Sequence, residues 1–339
     1  MSYGIRVYNA YGALQFSSAS DITRHFLGTY STGTVDGSVS IPGASNISIA
    51  SHMFAKWDIR ISGDTVSWKW TSQENRVSVN IDVFGSVTPT YTSYGLNIIG
   101  ADGNLSVGTL LPAYSYVRKG VGIAKPLWSG GTNEMTQAAF FHRYTRMRPE
   151  AASDYIISRK TPDEIIAIAS PNGNILTGVG INASGESVFI VASAESVNLS
   201  YDYYVFSRSP PQTTSSPYGV FTKNPQGQVV FSSLYPPMRV VGSHVEPPGR
   251  SESNFFKNVS ITAPSGKYAV AVFDSGPMYT EEWTPPYVLD SCIRAVFKTS
   301  ATGATFSNTK VGYHIPISVT YSFDPSLTST ALLLDVSEY

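Results

Sequence analysis

Two adjacent carboxylates, Glu281 and Glu282, stand beside Trp283 in the stretch "MYTEEWTPPYV" (278–288), with Tyr279 and Tyr287 flanking them. Cleaving a glycosidic bond needs two carboxyl groups on opposite sides of that bond. Neighbours on one short stretch do not straddle a bond, so the pair predicts no catalysis. Binding suits the residue types better. An aromatic face stacks on a sugar ring, a carboxylate accepts hydroxyl hydrogens, and rigid aromatics are also the usual anchors of protein interfaces. The prolines predict a stiffened loop on which Tyr279, Glu281, Glu282, Trp283 and Tyr287 hold a glycan or a partner. The plainer alternative is that Trp283 and Tyr287 plug one end of a β-sandwich.

A second cluster is "FFHRYTRMR" (140–148), where Arg143, Arg146 and Arg148 interleave with Phe141 and Tyr144. On a strand, Arg146 and Arg148 share a face with Tyr144, a pattern able to grip an anionic polysaccharide or an acidic partner. An edge strand that carries charge against aggregation is the plainer reading.

Other chemistry is hard to find. His25, His52, His142, His244 and His314 are dispersed without metal-ligand spacing, and Cys292 is the one cysteine, which excludes an intrachain disulfide or a cysteine-built zinc site. Nucleophile-elbow, P-loop and dinucleotide fingerprints are missing. The expectation is a chain that is not an enzyme, with no catalytic residue, metal or cofactor. Charged residues make up 14% of the chain, against about 25% in an average soluble protein. With 23 Lys+Arg against 24 Asp+Glu there is no basic excess, which demotes nucleic acid as a partner. No apolar run reaches the roughly 18 residues of a membrane span. The opening "MSYGIRVYN" lacks the basic and apolar regions of a secretion leader. The expectation is therefore synthesis and folding in a cytoplasm, with the Asn-x-Ser sequons at Asn46, Asn104, Asn182, Asn198 and Asn258 arising by chance.

What organises the chain is a repeat. Tyr3-Gly4-Ile5 with Gly12 and Leu14 aligns without gaps to Tyr94-Gly95-Leu96 with Gly103 and Leu105, and to Tyr218-Gly219-Val220 with Gly227 and Val229. Tyr-Gly followed eight residues later by a second glycine is expected roughly 0.1 times by chance in a chain of this composition. Asn9 to Gly12, Gly100 to Gly103 and Asn224-Pro225-Gln226-Gly227 each fit a type I turn followed by a left-handed glycine. The same hairpin thus opens three segments. Alternating runs at 77–87, 197–207 and 315–323 read as closing strands, and "TPTYTS" and "RSPPQTTSSP" as linkers.

The predicted architecture is all-β: tandem antiparallel β-sandwich domains, jelly-roll- or Ig-like, over 1–88, 93–208 and 217–339. Strands are expected at 65–70, 188–193, 268–273 and 293–299. The segment after Thr161-Pro162 reads as strand rather than helix, and Asn172-Gly173 as a hairpin turn.

The opening "MSYGIRVYNAYGALQFSS" resembles the start of minor tail proteins and of tail-fibre or tail-tip components of long-tailed (siphophage-type) bacteriophages, on Tyr3, Gly4, Asn9, Gly12, Leu14 and Phe16. The resemblance covers about the first 30 residues. It implies a virion protein of the distal tail, made in the host cytoplasm, with an N-terminal docking domain, other tail proteins as partners, and host attachment through a cell-surface glycan, a pilus or an outer-membrane receptor. It implies neither nucleic-acid binding nor membrane insertion. The assembly would be a homo-oligomer or a single chain with pseudo-three-fold units; a hub scaffold without receptor contact, or a polysaccharide-degrading spike enzyme, are the alternatives.

Overall fold

Alternating β-branched and aromatic runs separated by Gly, Pro and Asn leave strands as the one regular element among the described residues. The computed structural model describes residues 6–8, 14–17, 25–51, 57–70, 76, 78, 80–88, 97–99, 105–108, 114–126, 156–158, 164–181, 187–208, 221–223, 227, 229–232, 234–246, 256–273, 278–284, 287–316, 329–337 and 339.

The first segment contains β1 (Arg6–Tyr8), β2 (Leu14–Ser17), β3 (His25–Ser31), β4 (Gly37–Ser40), β5 (Ala44–Ser51), β6 (Trp57–Ser62), β7 (Thr65–Trp70) and β8 (Asn80–Val87). The second contains β9 (Asn97–Ile99), β10 (Leu105–Gly108), β11 (Ser115–Ala124), β12 (Ile156–Ser158), β13 (Ile165–Ala169), β14 (Ile175–Ile181), β15 (Ser187–Ser193) and β16 (Leu199–Ser207). The third contains β17 (Phe221–Lys223), β18 (Val229–Ser232), β19 (Val240–Glu246), β20 (Val259–Thr262), β21 (Tyr268–Phe273), β22 (Met278–Thr284), β23 (Tyr287–Ser300), β24 (Gly303–Pro316) and β25 (Ser329–Asp335).

The opening hairpins share one register. Tyr8 pairs with Leu14, Ile99 with Leu105 and Lys223 with Val229, and in each the ladder skips one residue before Val7–Phe16, Ile98–Val107 and Thr222–Phe231. Gly227, in the turn between the paired Lys223 and Val229, sits at φ +81°, a left-handed conformation that glycine adopts without steric cost.

After the hairpin, all three segments use the same strand order. The first, sixth and third following strands form one sheet, and the second, fifth and fourth another: β3-β8-β5 with β4-β7-β6, β11-β16-β13 with β12-β15-β14, and β19-β25-β21 with β20-β24-β23. β22 alone has no counterpart among the described strands of the other segments.

The expectation of three tandem sandwiches does not describe how these sheets join. β13 pairs with β21 at Ile168–Val270 and β14 with β23 at Ile175–Phe297, so the second and third segments share a six-stranded and a seven-stranded sheet. The boundary drawn between 208 and 217 therefore falls inside continuous sheets. The physical reason lies in β13, "IIAIA", which is buried at every position; such a strand needs cover on both faces and a partner on each side.

Among the described residues, three apolar layers hold the four larger sheets face to face. Ile47, Ile49, Trp57, Ile59, Val66, Ile81 and Val83 fill the space between the two three-stranded sheets of the first segment. Ile166, Ile168, Val270 and Leu333 of the six-stranded sheet meet Ile175, Phe189, Val191, Phe297 and Phe306 of the seven-stranded one. The opposite face of the six-stranded sheet, with Ala167, Phe206, Ala271, Leu332 and Leu334, packs against Phe84 of β8 and Phe26 of β3. Each fully buried Ile, Val, Leu or Phe among these contributes roughly 1.5–3 kcal/mol.

Two further expectations change. Asn172-Gly173 joins β13 to β14 across two different sheets, so it is a crossover turn and not a hairpin. The closing position of the third segment is filled by β25, while 317–323 lie outside the described residues.

Candidate functional site

The stretch 278–288 is strand rather than loop. β22 pairs with β23 from Met278–Ile293 to Thr284–Tyr287. β23 and β24 in turn pair along fourteen residues each, from Tyr287–Pro316 to Ser300–Gly303. β20 meets β24 only as far as Phe306, so the outer halves of β23 and β24 run on with β22 as a three-stranded arm. Its seven paired positions span about 20 Å. Tyr279 stands opposite Cys292, Glu281 opposite Asp290, Glu282 opposite Leu289, Trp283 opposite Val288, and Thr284 opposite Tyr287. The two-residue period of a strand places positions 279, 281 and 283 on one face and 282 and 287 on the other. The five candidates therefore share an arm but divide between its faces. Arg143, Arg146 and Arg148 lie outside the described residues, in the interval between β11 and β12.

The structure also brings together residues that sequence reasoning missed. Where the second and third segments fuse, a cleft of about 290 Å³ opens between β16, the turn after β13, the turn before β21 and the β23–β24 turn. Its lining includes Asn172, Ser200, Tyr201, Asp202, Lys267, Tyr268 and Ser300. The surrounding turns are pinned to one another. Ser170 N donates to Thr299 Oγ1 at 2.9 Å, and Thr299 N donates to the Ser170 carbonyl at 3.0 Å. Ala263 N donates to the Thr302 carbonyl at 3.0 Å and Gly266 N to the Ala301 carbonyl at 2.8 Å. Lys267 N donates to Ser337 Oγ at 3.0 Å, and the Tyr268 hydroxyl donates to the Pro264 carbonyl.

At its mouth, the half-exposed Lys267 Nζ donates to Asp202 Oδ2 at 2.8 Å and lies 5.7 Å from the centre of the Tyr204 ring. Its hydrogen bond to Asp202 first, then the nearby Tyr204 phenol, hold the Lys267 ammonium above its ordinary range against a smaller opposing effect of burial. Burial, then the neighbouring Tyr203, pushes the Tyr201 phenol up to about 12. Burial and then Asp335 raise Tyr268, with Arg239 opposing. Both phenols thus remain neutral hydrogen-bonding groups at any physiological pH. No motif could have found this cleft, since Asp202 and Lys267 stand 65 residues apart in different segments.

No protein-family model, curated protein or solved structure matches this chain.

Proposed function

We propose that this chain is a structural virion protein of a bacteriophage tail tip or tail fibre, which joins parts of the distal tail and attaches to the host surface. The observation that supports it is the triplication: one chain carries the same hairpin and the same two-sheet strand order three times, and among the described strands the third copy adds an arm. Pairing the first strand with the sixth and the second with the fifth across two sheets is the wrapping of a short jelly roll, and each segment is read as one such unit. The first segment docks to the tail; the fused pair faces the host surface or other fibre chains, with the arm as a contact element. A charge-poor surface rich in Ser, Thr and Tyr suits such contacts. In this reading the chain is made in the host cytoplasm, leaves in the virion, and has no catalytic role.

Adsorption tests it. Fluorescently labelled full-length protein is incubated with intact host cells and with mutants lacking surface polysaccharide. Saturable binding that a mutant loses supports attachment. Binding to no cell, with the protein still present in purified particles, leaves a hub scaffold. A fall in polysaccharide viscosity on incubation makes it a depolymerase and overturns the reading.

A further inference from the structure

The attachment reading leaves the chemistry of the ligand open, and the cleft at the fusion of the second and third segments narrows it. We infer that this cleft holds one neutral sugar ring of a surface glycan, an inference that rests on the attachment reading for its biological source but not for its chemistry. The volume, about 290 Å³, lies at the lower end of ligand clefts and suits one ring rather than an extended chain.

The charges decide the class. Lys267 and Asp202 are the charged side chains lining the cleft, and they pair with each other at 2.8 Å. A phosphate or carboxylate entering here would meet the Asp202 carboxylate beside the ammonium, and a cation would meet the ammonium beside the carboxylate. A neutral polyol needs neither, because each hydroxyl both donates and accepts. The carboxylate has lone pairs beyond the one facing Lys267, and the ammonium has donors beyond the one facing Asp202. Asn172, Ser200 and Ser300 are exposed at the rim, offering an amide and two hydroxyls. Pro171 and Ala301, both exposed, supply the apolar patches on which a pyranose rests its C–H face. Tyr201 and Tyr268 are buried beneath as neutral phenols. Since the turns around the cleft are already hydrogen-bonded to one another, little ordering remains to oppose binding.

Saturation-transfer NMR on the full chain tests this, with the methyl glycosides of glucose, galactose, mannose and N-acetylglucosamine as probes and inorganic phosphate as competitor. Transfer to at least one glycoside is expected. Lys267→Met should weaken binding roughly tenfold, the worth of a lost hydrogen bond to a charged group. Asn172→Ala, an exposed change that leaves the melting temperature alone, should weaken it several-fold, about one neutral hydrogen bond. Transfer to none of the four, transfer undiminished in both variants, or displacement by phosphate overturns the inference. Cell adsorption separates it from the attachment reading: adsorption unchanged in both variants removes the cleft and keeps attachment, whereas glycoside binding without any adsorption removes attachment and keeps the cleft.

Discussion

The third strand after the hairpin has two different fates in this chain. β13 and β21 meet at the centre of a six-stranded sheet, whereas their counterpart β5 borders a three-stranded one. The difference is in the backbone. β13 pairs with β16, and β21 with β25, in unbroken register, while β5 skips against β8 between Ser45 and Ser48 and holds Asn46 at φ 51°. A bulge bends its strand and puts the ladder groups out of phase, a usual protection of sheet edges. One strand order therefore gives a fused pair where the third strand is regular and a separate sheet where it is bulged. The first segment joins the others by a face instead, with Tyr114 5.1 Å from Phe84 and 6.0 Å from Phe26, ring centre to ring centre.

The comparison is broken most severely at the fusion itself. Ile168→Asp places an unpaired charge at a fully buried position of β13 and should cost more than about 4 kcal/mol. Because the sheets are continuous, calorimetry should show the second and third segments losing their structure in one transition; two transitions, with the third segment unaffected, would refute the fusion. Phe84→Ala acts on the other kind of junction and should cost about 3–4 kcal/mol. Its urea midpoint should fall for the first segment and stay nearly fixed for the fused pair.

Alkaline titration distinguishes the two regions next. The folded chain keeps the Tyr201 proton up to about 12, while the unfolded chain releases it near 10, so stability falls as pH rises between those values. Lys267, raised above 10.5, acts in the same direction, its ion pair being lost as pH climbs through the folded value. Tyr201 should remove about 2–3 kcal/mol of stability between pH 10 and 12, with Tyr201→Phe flattening most of the slope in denaturation curves.

Packing against the sheet comes next. A Cβ on Gly120 would stand 2.4 Å from the Tyr203 ring, so Gly120→Ala should cost about 1–3 kcal/mol, recovered in part by Tyr203→Leu. The smallest effect belongs to the bulge. Asn46→Ala loses a residue tolerant of the left-handed region and should cost about 1 kcal/mol, whereas Asn46→Gly should be neutral within about 0.5 kcal/mol. Equal effects of the two would show that backbone conformation is not what Asn46 supplies.

Much of the local structure was legible in the residues. The runs at 65–70, 188–193 and 268–273 are β7, β15 and β21 within a residue, because period-two patterning and β-branching act over a few neighbours. Two places misread show where that local logic ends. Asn172-Gly173 has the composition of a hairpin turn, yet the two strands it joins find partners in separate sheets. The prolines of 278–288 suggested a loop, yet the residues on either side of them pair as strands from Met278–Ile293 to Thr284–Tyr287. The cleft gave no signal at all, since Asp202 and Lys267 belong to strands and turns that only the β13–β21 pairing brings together.

By itself, then, the sequence determined the strands, the turn glycines and the threefold spacing of one hairpin, all of which depend on residues close along the chain. Which sheets fuse, which edge stays separate, and where a charged pair meets across a cleft were decided by the tertiary structure. Those outcomes depend on ladder register and face-to-face burial between residues far apart, and a one-residue slip at a bulge is enough to change them.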